Sequence, residues 1–276
     1  MLAGADQLKS SCAAVYEHPA VRWLLGGELH PGGEQATLRA LELIRLAGGD
    51  RLLDVPSGSG TSALLAAREL GATVTGVDYG EQSVVAATAA AGAEGLDRRV
   101  SFIRGDAEAL PLPNASFDAV LCECSLCTFP DKPRAAAEIC RVLRPGGRAA
   151  ISDVVIDPDR LPAELLGPIA TVACIGSALT PAGYENLLAE AGLEVFAVEN
   201  LDREVAGLTE RIEERLRGAR LLGLDRLAGS PFDVEEAIEL TRLAKAAIED
   251  GSIGYSIFAA TKTPVPGSNR QWPATA

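Results

Sequence analysis

An α/β fold with a mostly parallel, seven-stranded sheet is predicted by three features of the 276-residue sequence. Short apolar, β-branched segments alternate with segments of helical period from residue 51 to residue 201, the rhythm that βαβ crossovers produce. A glycine-rich turn, "DVPSGSGTS", joins the first of these strands to its helix. Two amphipathic segments over 203–250 then interrupt the rhythm before one last β-rich stretch, which places a helical insertion ahead of the final strand.

The elements follow in order. Residues 1–34 form an N-terminal cap segment, irregular or helical, in which "AVRWLLG" supplies one or two apolar turns. "HPGGE" is a loop, because Pro and paired Gly break both periods. "EQATLRALELIRLAG" carries Leu38, Leu41, Ile44 and Leu46 near helical spacing and stops at Gly48–Gly49. The predicted strands are 51–55, 73–78, 100–106, 117–124, 148–154, 193–201 and 254–262. Between them, "TSALLAARELG" (61–71), "EQSVVAATAAAGAEG" and "PRAAAEICRVLRPGG" (133–147) are helices with glycine stops. "TPAGYENLLAEAG" (180–192) opens on a Thr cap followed by Pro. The core is expected over 35–202, the insertion over 203–252, the last strand over 253–263, and a disordered tail over 264–276, where Pro, Gly and polar residues dominate.

Composition narrows the function. The net charge is −13, with 38 acidic against 25 basic residues, and an acidic surface repels phosphate backbones, so nucleic acid is not an expected partner. No apolar run has the length of a membrane span, and the first residues lack the basic-then-apolar pattern of an export signal. A cytoplasmic monomer or homodimer with reduced thiols is therefore expected. The six cysteines are then free, metal-binding or catalytic, and with only His18 and His30 there is little material for histidine chemistry.

The glycine turn suits a nucleotide-like cofactor. Gly58 and Gly60 let backbone N–H groups approach a ligand, and the helix beginning near Thr61 adds its positive end. A plain tight turn is the bland alternative, and a Walker-type loop is excluded because no Gly-Lys-Ser/Thr follows. Asp54, Asp78 and Asp106 each end one of the first three strands, so in a parallel sheet they converge on one crevice. Asp54 disfavours a pyrophosphate there and suits a ligand bearing an amino group and a sulfonium.

The segments "LLDVPSGSG", "VTGVD", "RGDAEALPLPNASFDAV", "EICRVLRPGG" and "ISDV", in that order, resemble the class I S-adenosylmethionine-dependent methyltransferases over about residues 35–200. The resemblance implies a Rossmann-like sheet with helices on both faces and S-adenosyl-L-methionine as cofactor. It implies that Gly58 and Gly60 pass under the methionine part, that Asp54 lies near its amino group, that Asp78 holds the ribose, and that Asp106 and Ala107 meet the adenine. Pro56, Ser57, Thr61, Tyr79 and Glu123 complete the implied cofactor set. Pro56 departs from the family pattern, which has Gly there, so the first turn of the loop is expected to differ.

"LCECSLCTFPDKP" crowds Cys122, Cys124 and Cys127 into six residues after the fourth strand. Strand alternation places Cys122 and Cys124 on one side and Glu123 on the other. Buried packing is one reading, and it is accepted for Cys140 in its helix. Soft thiolates that select thiophilic centres are the other. With "TVACIGSAL", which carries Cys174, these segments resemble the arsenite methyltransferases. That resemblance implies Cys124 and Cys174 as arsenic ligands, with trivalent arsenic as a metalloid substrate whose lone pair accepts the methyl; Cys127 is an addition where that group has a polar residue, and Cys12 is a further candidate ligand whose flanking residues depart from the pattern. Glu123 and Asp153 are acids that work against thiolates there. Two alternatives stay open. One is a small-molecule natural-product methyltransferase acting on oxygen, nitrogen or carbon, with cysteines lining an apolar pocket and His30 or Glu123 as base. The other is a non-catalytic thiol-based metalloid-binding protein. Tyr16 and Trp23 are candidate cofactor caps, and Thr128, Phe129 and Tyr184 candidate substrate contacts.

Overall fold

The computed structural model describes residues 2–27, 29–167, 170–171, 173–224 and 233–263; the tail expected to be disordered and the turn between the two late helices lie outside them. The seven strands are β1 (Arg51–Asp54), β2 (Thr73–Asp78), β3 (Val100–Arg104), β4 (Phe117–Glu123), β5 (Leu143–Ile156), β6 (Leu193–Asn200) and β7 (Ile253–Lys262). They form one sheet in the order β3-β2-β1-β4-β5-β7-β6. β1 to β5 pair in parallel, and β7 lies antiparallel between β5 and β6.

Helices α1 (Leu2–Glu17), α2 (Pro19–Leu25) and α3 (Gly33–Leu43) precede the sheet. Helices α4 (Thr61–Leu70), α5 (Glu81–Ala93), α6 (Lys132–Val142) and α7 (Pro181–Glu190) cross between strands. The pair α8 (Asp202–Leu221) and α9 (Val234–Glu249) comes between β6 and β7. The local signals are those the sequence carries. Gly71 ends α4 at φ 69°, Thr180 accepts from the Gly183 N–H at the start of α7, and Asp131 accepts from the Arg134 N–H at the start of α6.

Strand alternation divides the core between the two faces of the sheet. Leu53, Val120 and Phe258 pack on one face with Ile139 of α6 and Tyr184 of α7. Leu52, Leu121 and Ile257 pack on the other with Leu41 of α3 and Leu64 of α4. The central strands are thus apolar on both sides, as a sheet covered by helices requires. A third cluster sits beyond the carboxyl end of β5, where Val154, Leu165, Val205, Ala244 and Tyr255 meet.

Several expected bounds are corrected. α3 stops at Leu43 rather than at Gly48–Gly49, and β3 stops at Arg104, which leaves Asp106 in the loop beyond it. The segment "LRPGG" does not prolong α6: the helix ends at Val142, and β5 begins at Leu143 and runs through Gly146 at φ 75°. β4 ends at Glu123, and Cys124 turns out of the strand with φ 48°. Alternation therefore stops one residue early. Cys122 is fully buried in the core, whereas Cys124 faces the site.

Gly76, inside β2, is required for space: a methyl group there would run into the Phe102 ring and Ser57 Cβ. Gly76→Ala is expected to cost roughly 1–3 kcal/mol by overpacking, read as a lower urea midpoint with an unchanged slope.

Candidate active site

The carboxyl ends of β1, β2 and β4 open into a cavity of about 460 Å³. Its floor is the glycine loop, which starts at a cis Val55–Pro56 bond. The Ser57 N–H donates to Val77 O at 2.9 Å, fastening the loop to β2. Gly58 takes φ 50° and its N–H donates to Asp78 Oδ2 at 2.7 Å, while the Gly80 N–H donates to Oδ1 at 2.8 Å. Burial pushes the Asp78 carboxyl up, and these two amides pull it back. Gly60 is the N-cap of α4 at φ 84°, and a side chain there would strike Phe102 and Ala87.

Asp54 is the most constrained group. Burial, with Glu123 and then Asp78 adding like charge, pushes its carboxyl well above the carboxylate range. Among the described residues, Asp54 Oδ2 and Ser57 Oγ are the buried side-chain polar atoms without a hydrogen-bond partner. Buried polar atoms are normally paired, and both residues line the cavity. A ligand carrying a cationic amino group satisfies Asp54 and relieves its repulsion, so the chain's residues fit the methionine end of S-adenosylmethionine.

Glu123 is braced on the opposite wall. It accepts from Thr37 Oγ1 at 3.0 Å and from Ser62 Oγ at 2.6 Å, and His30 Nε2 lies 3.6 Å away. The roof is α1. Lys9 Nζ reaches Asp106 at 2.8 Å and Glu108 at 2.5 Å; burial works against the ammonium, but the two carboxylates hold it above its usual range. At the other end of α1, Glu17 accepts from the Ser83 N–H at 2.9 Å, in the first turn of α5, where a carboxylate also meets the helix dipole favourably.

The cysteines gather behind this cavity. Cys174 has φ 65°, which with Cys124 makes two non-glycine residues in the left-handed region at one spot. Cys174 Sγ donates to Cys124 O at 3.2 Å and lies 3.3 Å from the Tyr16 hydroxyl. Hydrogen bonds from Cys124 and Cys127, together with Tyr16, hold Cys174 well below the thiol range, against the effect of burial. The partners shift oppositely: Cys124 is raised by its bond to Cys174 and by burial, and Cys127 and Tyr16 by burial first. Asp153, fully buried, accepts from the Cys127 and Val154 N–H groups, and burial pushes it to about 7.

A second cavity, of about 230 Å³, lies between β5, α2, α8 and α9, and Tyr16, Leu29 and Cys124 line both spaces.

Of the residues the sequence nominates, Asp54, Pro56, Ser57, Gly58, Thr61, Asp78, Tyr79, Asp106, Ala107 and Glu123 line the first cavity. Gly60 does not; it shapes the turn beneath it. Cys12 and Cys124 line the first cavity, Cys124 and Cys174 the second, and Cys127 is fully buried behind both. Among the described residues no three His, Cys, Asp or Glu side chains are arranged to hold a metal ion. Within the nominated set, the Cys174 thiol is engaged by Cys124 O and the Tyr16 hydroxyl. Trp23 is half-exposed under Arg215, and Tyr184 is a core residue whose hydroxyl donates to Val154 O. Thr37, Ser62 and Lys9 carried no sequence signal, since each comes from a helix distant in sequence from the groups it holds.

A family model described as a methyltransferase domain matches residues 53–151. The 27-O-demethylrifamycin SV methyltransferase of Amycolatopsis mediterranei is 34% identical over 255 residues, 87% of this chain and 91% of that protein. The arsenite methyltransferase of Halobacterium salinarum is 31% identical over 188 residues, 67% of this chain and 48% of that protein. The crystal structure of the 4+2 cyclase SpnF superposes with a TM-score of 0.73 at 25% identity, covering 95% of this chain and 97% of that one.

Two expectations follow. Asp54→Asn should raise the thermal midpoint of the ligand-free protein and weaken S-adenosylhomocysteine by roughly 10–100-fold in calorimetry, since a charged hydrogen bond is lost. The Asp153 carboxyl, at about 7 when folded against about 4 unfolded, binds more protons in the folded state between those values. Its stabilisation is full below the lower value and is lost as pH rises through the upper one. The urea midpoint should therefore fall from about pH 5.5 to about pH 8, and fall less in Asp153→Asn.

Proposed function

The chain belongs to the class I S-adenosylmethionine-dependent methyltransferases, and from that premise we propose that it methylates a hydroxyl oxygen of a small natural product. The observation that carries this reading is the second cavity, which meets the cofactor cavity at Tyr16, Leu29 and Cys124 and gives an organic acceptor room beside the transferable methyl. Similarity to the rifamycin-type methyltransferase over 91% of its length supports it.

When bound, S-adenosylmethionine supplies an electrophilic methyl on a sulfonium. Asp54 and Ser57 would hold its amino-acid end, the Gly58 turn would carry its middle, and Asp106 with Ala107 would border the base. Lys9 closes α1 over that end through Asp106 and Glu108, which helps to exclude water. Glu123 faces the cavity at the end of β4, next to Cys124 where the two spaces meet, and its side chain is held by the Thr37 and Ser62 hydroxyls. It suits the removal of the acceptor's proton, with His30 beside it to share the charge.

A second reading rests on the thiols. Cys174 with Cys124 and Cys127 favours a thiophilic acceptor such as trivalent arsenic, a soft centre that soft ligands select. The matched arsenite methyltransferase is covered over 48% of its length, and the thiols would have to exchange partners to bind a metalloid.

The test measures labelled methyl transfer to hydroxylated polyketide and aromatic acceptors and, separately, to arsenite with glutathione. A hydroxyl acceptor is expected to turn over, with Glu123→Gln lowering kcat at least 100-fold and S-adenosylhomocysteine affinity held within threefold. Turnover of arsenite alone, abolished in Cys124→Ser and Cys174→Ser, would replace the first reading by the second.

A further inference from the structure

Resting on the hydroxyl-methylation reading above, we infer that the acceptor is an uncharged, hydrocarbon-bodied alcohol or phenol whose body is buried in the second cavity and whose hydroxyl is presented at the Tyr16–Cys124 junction. The cavity is walled by residues such as Val154, Leu165, Leu208, Leu240, Ala244 and Ile253. Apart from the thiols, the polar side chains around it are Tyr16, Thr209, Thr241 and Glu236. Three of these are already engaged. Thr209 donates to Val205 O at 2.8 Å, Thr241 to Ala237 O at 2.7 Å, and Tyr16 is held against Cys174. Glu236 is exposed, in the first turn of α9 at the rim.

A polar body entering this space would give up its water and find no partner, which is unfavourable. An apolar body gains by leaving water. Charge decides more sharply. Among the described residues no Lys, Arg or His lines this cavity, and its one ionic group at the rim is a carboxylate. The adjoining space adds Asp54, Asp78 and Glu123. That space also holds Lys9, Arg22 and His30, so the argument from charge applies to the body of the acceptor: a phosphate or carboxylate buried in the second cavity would find no counter-charge there. The shared wall of Tyr16, Leu29 and Cys124 fixes where the reactive oxygen must lie, because that is where the two spaces touch.

The experiment compares 2-naphthol with 2-naphthyl phosphate, which share a ring and differ in charge, by calorimetry on the full chain with and without S-adenosylhomocysteine. The naphthol is expected to bind the loaded protein at least tenfold more tightly than its phosphate. Ala244→Trp, which fills the cavity, should weaken the naphthol at least tenfold and leave S-adenosylhomocysteine affinity within twofold. Leu240→Glu, at a half-buried wall position, should do the same and covers the case in which the tryptophan variant fails to fold. Equal or tighter binding of the phosphate, no binding of the naphthol, or naphthol binding unchanged in either folded variant overturns the inference. Naphthol that binds as expected but is never methylated on oxygen supports the cavity assignment and overturns the hydroxyl-acceptor reading instead.

Discussion

The acids at the carboxyl edge of the sheet set the terms for everything around them. Asp54, Asp78 and Glu123 end β1, β2 and β4, and parallel pairing leaves them no way to separate. Water cannot screen them, because each is buried. The chain answers with a different device for each. The backbone amides of Gly58 in the glycine loop and of Gly80 before α5 hold Asp78, hydroxyls from two helices hold Glu123, and Lys9 reaches from α1 to Asp106 and Glu108 on the loop after β3. Asp54 alone keeps an oxygen in reserve. A site with one unpaid electrostatic debt selects a cation, and that is the logic by which a sulfonium amino acid fits here.

The thiol cluster is held by the same economy of partners. Cys174 meets the Tyr16 hydroxyl and Cys124 O, and Lys132 is the ammonium whose field reaches Cys127 and Asp153 behind it. Two of the cysteines sit in left-handed backbone, a conformation that costs non-glycine residues energy and that clusters at functional sites. Their segments bring the end of β4, the following 3₁₀ turn and the loop near residue 174 onto one point, which is also where the two cavities meet.

Much of this was legible in the sequence, because its signals are local. Alternating periods gave all seven strands, Gly71 marked the end of α4 and Thr180 the start of α7, and Asp54 and Asp78 at adjacent strand ends follow from parallel pairing, whereas Asp106 lies two residues beyond β3. What escaped lies in contacts between distant segments. Thr37 and Ser62 are ordinary helical residues until α3 and α4 are packed beside β4. The side of the sheet on which Cys124 falls depended on a single φ angle, and alternation cannot foresee a residue that leaves the strand. The metalloid resemblance rested on Cys124, Cys174 and their local context, and local context does not report that Cys174 will meet Tyr16, a residue 158 positions away.

The first helix, lastly, is fastened at both ends to the rim of the cofactor space, by Lys9 to Asp106 and Glu108 and by Glu17 to Ser83, and between those points it contributes Tyr16 to both cavities. The nucleotide-binding sheet begins only at residue 51. A fragment trimmed to that sheet and its crossover helices would keep the cofactor floor and lose the wall between the two reactants. The first helix is thus a shared partition, bordering the glycine-loop cavity on one side and the apolar cavity under α8 and α9 on the other.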